Sequence, residues 1–479
     1  VALVGEQLVV GFDLDMTLID TVGGFVATLD ALAAELGVAL PSRELSSNLG
    51  PPLDHLLAPY VAPPEMAAAV ARFRELYPDT AVEPTPALPG AVEALAAVRR
   101  HGGRVVLVTG KYTPNAQRHV DHLGLDVDVV EGQVWGGGKG EVLRRHGAQL
   151  YVGDHVHDVE GAREAGVPSV SVVSGGSTAA ELEAAGTDVV LPDLHAFPAW
   201  LDDWVLERRL ADLEQRLRAH GRVLVAFSGG ADSAFLLAAA VRALGPDAVA
   251  AATAYSGALP ESERDPGAAL AEALGVPLLT PQTHELDRDG YRRNDGDRCA
   301  FCKSELLEVL GPLAREHGYD VVATGTNADD ARAGFRPGIA AAAERGAVTP
   351  LLDAGLTKEQ VRAASRAWRL PTWDKPAAAC LSSRIAYGVE ISRDRLARVE
   401  RAEAGLRAAL EAAGHDVHDL RVRDLGDAAR VEVDRELVDL VAKHLGAVRD
   451  AGFATVEVDP LGFRSGSMNA LLADPDRWR

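Results

Sequence analysis

The run Phe227-Ser-Gly-Gly-Ala-Asp-Ser233 constrains this chain more than any other stretch. It follows the apolar segment Val223-Leu-Val-Ala226 and leads into the helix-like Ala234-Phe-Leu-Leu-Ala-Ala-Ala240. A buried strand that ends in Ser-Gly-Gly and opens a helix makes a phosphate cradle. Gly229 and Gly230 let the backbone approach an anion with no Cβ in the way, and the N–H groups of the loop and helix N-terminus point at it. Ser228 and Ser233 add hydroxyl donors, and Asp232 offers a carboxylate for Mg²⁺. The Gly-Lys-Ser/Thr ending of a Walker loop is missing, so a different kind of nucleotide loop is expected.

A chain of 479 residues exceeds one core, so two or three domains are expected. The formal net charge of −22 gives no overall attraction for nucleic acid or an anionic membrane, so neither is expected as a partner. No apolar run approaches the length of a membrane span, and no secretory signal is visible. Three cysteines, Cys299, Cys302 and Cys380, are too few and too odd in number for a disulfide framework. They point to a reducing, cytoplasmic setting.

Along the first half, short apolar strands alternate with amphipathic helices. Strands are predicted at 8–12, 104–109, 125–130, 149–152 and 169–173, which implies a parallel, doubly wound α/β sheet. Helical sequence from about 22 to 82 interrupts this pattern and reads as an inserted cap. A charged, helix-periodic stretch at 201–221 reads as a linker helix. A second α/β unit is expected over 222–395. A small α+β domain, with strand-like pieces at 420–423 and 430–433, is expected over 396–479.

Asp13-Leu-Asp-Met-Thr17 ends the first strand. Past a strand end the chain turns, and both carboxylates can enter one site. A carboxylate nucleophile beside a carboxylic acid suits phosphoryl transfer, one attacking phosphorus and the other protonating the leaving oxygen. Thr109-Gly-Lys111, Lys139 after a glycine run, and Gly153-Asp-His-Val-His-Asp158 follow in order. Doubly wound sheets place their sites at such strand ends. These four elements in this order resemble the haloacid dehalogenase superfamily of phosphatases, over roughly residues 1–200, and the helical insert resembles the cap of its phosphoglycolate-phosphatase-like members. The resemblance implies Asp13 as nucleophile, Asp15 as general acid/base, and Thr109 and Lys139 as phosphate ligands. It also implies a Mg²⁺ ion held by Asp13, Asp15 and Asp154, with Asp158 either a ligand or just behind one. His155 and His157 are expected behind the ligands or on the surface.

In the second half, the glycine loop resembles the PP-loop of the ATP pyrophosphatases, an adenine nucleotide alpha hydrolase-like fold. Arg298-Cys-Ala-Phe-Cys-Lys303 brings two thiols to one side of a turn, and Cys380 lies in Asp374-Lys-Pro-Ala-Ala-Ala-Cys-Leu-Ser-Ser-Arg384. With Gly325-Thr-Asn-Ala-Asp-Asp330, Phe335-Arg-Pro-Gly338, Gly355-Leu-Thr-Lys-Glu-Gln-Val-Arg362 and Arg421-Val-Arg-Asp-Leu-Gly426, these stretches resemble the LarE family of ATP-dependent sulfur transferases over about 205–450.

That resemblance implies adenylation of a carboxylate of pyridinium-3,5-biscarboxylic acid mononucleotide, followed by displacement of AMP by sulfur, in nickel-pincer nucleotide cofactor biosynthesis. It implies ATP as co-substrate and Arg421 and Arg423 as ligands of the substrate phosphate, with Arg384 also able to pair with phosphate. The sulfur source has two family forms: Cys380 gives up its own sulfur, or Cys299, Cys302 and Cys380 hold a [4Fe-4S] cluster with one iron open. Having all three cysteines, this chain is expected to take the cluster form. A zinc site, a redox pair and PP-loop tRNA thiolation are the competing readings. The expected partners are small-molecule nucleotides, a second copy of the chain, and a cysteine desulfurase or sulfide donor.

Overall fold

All four residues of the first strand, β1 (Val9–Phe12), are buried, because helices cover both faces of the sheet it centres. The computed structural model describes residues 7–46, 52–332, 337–376, 379–464 and 467–468. Phe335, Arg336, Ala377 and Ala378 of the stretches above lie outside these. Contacts divide the chain into two compact units, one reaching Glu207 and the other starting at Arg208. The helix Phe197–His220 contains that division.

In the first unit, β1 is joined by β2 (Arg104–Val108), β3 (Val129–Glu131), β4 (Leu150–Gly153), β5 (Ser169–Val172) and β6 (Val189–Leu191). The order is β3-β2-β1-β4-β5-β6, all parallel. The chain builds outward from β1 on one side, then returns to build outward from β4 on the other. The crevice between the ends of β1 and β4 is therefore the topological switch point. The third strand falls at Val129–Glu131 rather than 125–130, since Leu125 is spent capping the preceding helix through its bond to Val120 O. Between β1 and β2 the helices Val22–Leu36 and Met66–Ala81 pack on each other around Phe25, Leu29, Phe73 and Tyr77, a core of their own beside the sheet.

The second unit carries two sheets. The larger is parallel and four-stranded, β7 (Val223–Ala226), β8 (Val249–Ala252), β9 (Leu278–Leu279) and β10 (Val321–Thr324), in the order β10-β7-β8-β9. Its switch point lies between β7 and β10. The smaller has β11 (Leu420–Asp424) antiparallel to β12 (Ala428–Val433), and β12 parallel to β13 (Thr455–Val458), a strand the sequence pattern did not reveal. Together these elements form an α/β protein with more than one domain.

The smaller sheet is tied to the segment after Cys380. Ala386 N–H donates to Asp424 O, and the buried Asp424 carboxylate accepts from Arg395 Nη1 at 2.8 Å and Arg398 Nη2 at 2.6 Å. Breaking a buried ion pair from one side leaves its partner charges uncompensated. Asp424→Ala should lower stability by about 3 kcal/mol, the low end of the usual range because both arginines keep some contact with water. A thermal melt of the full chain checks this; an unchanged midpoint would show that the arginines find water instead. Among the described residues, no helix is long and apolar enough to cross a membrane.

Candidate active sites

Two sites lie at the two switch points. In the first unit, the chain leaving β1 bends at once: Met16 has φ +61°, its N–H donates to Ile19 O, and Leu18 N–H returns to Leu14 O. This tight turn places both Asp13 and Asp15 on the same cavity. Each carboxylate meets its own ammonium. Lys139 Nζ lies 2.8 Å from Asp13 Oδ1, and Lys111 Nζ lies 2.5 Å from Asp15 Oδ1. Lys139 also donates to Asp158 Oδ1 at 2.6 Å and Tyr151 Oη at 3.0 Å, which uses all three of its N–H groups. Thr109 is buried at the end of β2, and its Oγ1 accepts from Lys111 N–H.

Asp13, Asp154 and Asp158 bring carboxylate oxygens within 4.8 Å of one another. Burial pushes the Asp13 carboxyl up to about 7, with Lys139 opposing and Asp158 and Asp15 adding to the rise. Burial, then Asp158 and Asp13, drive Asp154 well up too. Three buried carboxylates against one ammonium leave two negative charges uncompensated, which is the charge of a divalent cation. Oxygen donors suit a hard ion such as Mg²⁺. The floor is kept open by glycines: a Cβ on Gly175 would lie 1.7 Å from Asp154 Oδ2, and one on Gly153 would lie 2.4 Å from the Asp158 carboxyl. The residues present fit the ion. Asp15 stands apart from this group, because Lys111 holds its carboxylate.

His155 caps the helix Val156–Ala165, accepting from His157 N–H, and His157 pairs with Glu160. Both line the cavity, and neither ring is part of the carboxylate group. Asp158 Oδ2 accepts from His155 N–H at 3.0 Å, so one residue both caps this helix and joins the charged cluster. Lys111 as the partner of Asp15, Thr17 as donor to Asp154 at 2.6 Å, and the Gly175 opening were not assigned from sequence. The Gly175-Gly176 pair just past β5 was the available signal.

In the second unit the loop after β7 closes on its own hydroxyls. Ser233 Oγ accepts from Ser228 N–H at 3.3 Å and donates to Gly230 O at 3.1 Å, and the Ser228 and Ser233 hydroxyls are 3.1 Å apart. Gly229 takes φ +71°, a conformation favourable to glycine, before the helix Ala231–Leu244 begins. Gly325, just past β10, packs so tightly on that helix start that a Cβ would lie 2.8 Å from Ser233 N. Asp232 Oδ1 is buried without a partner, and burial raises its carboxyl above the usual range, with Asp330 adding and Lys358 opposing. An orphaned carboxylate oxygen beside a phosphate cradle fits a Mg²⁺ ion carried by a nucleotide.

The cavity here is about 440 Å³ and is lined by Ser228, Gly230, Asp232, Ser233, Cys302 and Cys380, among others. Cys299 and Cys302 sit on the first turn of the helix Arg298–Glu316, not on a turn, and their i, i+3 spacing keeps them on one face. Burial pushes the Cys302 thiol up, and Cys380, Glu285 and Cys299 add to it. The three thiols do not all lie within 4.8 Å, a wider set than the roughly 2.3 Å Zn–S bonds of a structural zinc site would gather. Two of the thiols, Cys302 and Cys380, line the cavity, and Cys299 lies one helical turn before Cys302; three soft sulfur donors in this arrangement fit an iron–sulfur cluster with an open iron. Arg298 fastens this helix to the Cys380 segment, donating to Asn294 Oδ1 at 2.6 Å and Ser382 O at 3.0 Å.

The arginines expected at the substrate phosphate gather beside that segment. Burial, with Arg384 and Arg423 nearby, lowers the Arg421 guanidinium, the mark of crowded cations. Arg423 donates to Glu432 Oε2 at 2.7 Å and 3.0 Å and to Ser383 O at 3.3 Å. Arg384 is more fully engaged: it pairs with Glu403 at 3.0 Å and donates to Cys380 O and Ala379 O. Lys375, five residues before Cys380 in sequence, reaches Gly229 O at 3.0 Å and Glu263 at 2.5 Å. Its ammonium belongs to the phosphate loop.

With the geometry established, relatives identify the class. Residues 10–172 match the haloacid dehalogenase-like hydrolase family, and a phosphoglycolate phosphatase of Caulobacter vibrioides is 30% identical over 222 residues, 39% of this chain and 86% of its own length. The N-terminal part is thus a haloacid dehalogenase-like hydrolase domain. A pyridinium-3,5-bisthiocarboxylic acid mononucleotide synthase of Lactiplantibacillus plantarum is 34% identical over 274 residues, 56% of this chain and 96% of its own length. An uncharacterized protein of Synechocystis is 39% identical over 274 residues, 56% of this chain and 99% of its length. The chain belongs to the LarE-type synthase family, fused to that hydrolase domain.

Proposed function

We propose that the chain is a bifunctional enzyme, a Mg²⁺-dependent phosphomonoesterase joined to an ATP-dependent sulfur transferase of nickel-pincer cofactor biosynthesis. Within the second unit, residues 222–395 form the ATP-using domain and 396–479 a small C-terminal domain. The setting is cytoplasmic, as three free thiols favour. A homo-oligomer and a cysteine desulfurase or sulfide donor complete the expected assembly.

In the first unit, Asp13 attacks phosphorus and the ester P–O bond breaks. Asp15 gives its proton to the departing oxygen, and then takes one from the water that hydrolyses the aspartyl-phosphate. Lys139 and Thr109 hold the phosphoryl oxygens. Asp13, Asp154 and Asp158 would hold Mg²⁺, which supplies positive charge where the phosphoryl oxygens gain negative charge. Lys111 keeps Asp15 oriented between its two proton transfers.

In the second unit, Ser228, Gly229, Gly230 and Ser233 bind the departing pyrophosphate, and Asp232 serves the accompanying cation. A substrate carboxylate attacks the α-phosphorus of ATP, pyrophosphate leaves, and sulfur then displaces AMP. Arg421 and Arg423 anchor the phosphate of the mononucleotide. Cys299, Cys302 and Cys380 would hold a [4Fe-4S] cluster, which supplies a site for a transferable sulfide.

One observation carries this reading: Cys302 and Cys380 line the same cavity as the phosphate loop, so a sulfur source and an activated acyl group can meet. Iron and acid-labile sulfide, measured on protein purified or reconstituted without oxygen, test it. About four irons per chain, the content of a single [4Fe-4S] cluster, are expected. They should be lost on replacing any one of the three cysteines. Iron-free protein that still makes product, with Cys380 losing the mass of its sulfur, would assign the sulfur to Cys380 itself.

A further inference from the structure

The cavity above Asp13 is larger than a phosphate needs. Its volume is about 1120 Å³, at or beyond the roughly 300–1,000 Å³ typical of small-molecule sites. A two-carbon phosphate ester would leave most of it filled with water. Two lining residues outside the charged cluster show what else it is suited to hold.

Arg74, on the helix Met66–Ala81, is half-buried and lies over the Tyr112 ring at 4.6 Å. Two residues away, Arg72 is held by Glu35 and Glu75. No such carboxylate is found at Arg74 among the described residues. A guanidinium over an aromatic ring, with no carboxylate partner among the described residues, suits a planar anion such as a carboxylate.

Trp135 is 38% exposed, one of few large apolar side chains left so open among the described residues. Its indole rests on the backbone just after Thr109: a Cβ on Gly110 would lie 2.4 Å from Trp135 Nε1. Glycine at that place lets the indole lie against the strand end. A partly exposed indole at the wall of a catalytic cavity offers stacking to a flat ring.

We propose that this cavity selects a mononucleotide whose base is a planar heteroaromatic ring bearing a carboxylate. The phosphate sits at Asp13, the ring stacks on Trp135, and the carboxylate pairs with Arg74. This deepens the phosphomonoesterase reading and rests on it. The same chemistry, a carboxylated ring on a ribose phosphate, is what the second half is proposed to activate.

The test is steady-state hydrolysis by the full chain with Mg²⁺, using nicotinic acid mononucleotide, nicotinamide mononucleotide, 2-phosphoglycolate and p-nitrophenyl phosphate. The two mononucleotides share a ring and differ in the carboxylate; 2-phosphoglycolate has a carboxylate and no ring. The expected kcat/KM is greatest for nicotinic acid mononucleotide, by about tenfold or more over the amide, the scale of a charge-assisted contact. Arg74→Gln should bring that ratio to about one. Trp135→Ala should lower both mononucleotides relative to 2-phosphoglycolate by about tenfold, as expected for a lost stacking contact. A preference for 2-phosphoglycolate, or an acid-to-amide ratio that survives in Arg74→Gln, overturns the inference. Turnover of p-nitrophenyl phosphate alone overturns it and leaves the phosphatase reading standing. Failure on all four esters overturns both.

Discussion

Cys380→Ala is expected to abolish thiocarboxylate formation while leaving adenylation intact. The side chain is exposed on the cavity of the phosphate loop, and its backbone is held independently of the sulfur: Leu381 N–H donates to Ala258 O, and the Cys380 carbonyl accepts from Ser383 N–H and Arg384. Removing the thiol therefore deletes chemistry and spares the fold. Single-turnover assays should show pyrophosphate released in the variant as in the parent, with no sulfur-bearing product, a loss of at least about 10⁴-fold for a covalent participant. Cys299→Ala and Cys302→Ala decide how the sulfur is supplied. If all three losses are equally complete, the thiols act as one set. If only Cys380→Ala is inactive, its own sulfur is transferred and the helical pair is not required. Residual product in Cys380→Ala would remove this residue from the reaction under either mechanism.

The phosphate loop was legible because its chemistry is local. A strand, a glycine at positive φ, two hydroxyls and a helix start occupy one short window, and these residues bond to one another. The carboxylates at 13, 15, 154 and 158 were legible for a related reason: each lies just past a strand or in the first turn of the helix after one, and parallel strands align those ends. What the sequence did not show were partners chosen by packing. Lys111 is closer in sequence to Thr109 than to Asp15, yet its ammonium crosses to Asp15 because β1 and β2 are neighbours. Lys375 is five residues from Cys380 and its side chain goes to the phosphate loop. The pair at Cys299 and Cys302 read as a turn because its spacing suits either; the long helix that follows recruits it as a first turn. Glu432 on β12 holds Arg423 on the neighbouring strand β11, a partner set by strand pairing.

Asp13→Asn is expected to abolish phosphatase activity by at least about 10⁴-fold, since an amide cannot form the acyl phosphate. ATP pyrophosphatase activity should be unchanged, because Asp13 belongs to a separate unit from the phosphate loop. The same substitution should not destabilise the protein. Its surroundings push the carboxyl up to about 7, chiefly through burial, so above that pH the site holds an anion it disfavours. A group whose folded pKa exceeds its unfolded value of 3.8 costs stability increasingly as pH rises from 3.8 to about 7, and the cost stays above that. A neutral isostere removes this cost. In chelator at pH 8, the variant should therefore melt at the same temperature as the parent or higher. Adding Mg²⁺ should raise the parent's midpoint by mass action and raise the variant's less, because one ligand oxygen has lost its charge. A variant that melts lower in chelator would show that Lys139 depends on the Asp13 charge more than the carboxylates repel one another. Loss of both activities together would show that the two halves do not act as independent catalysts.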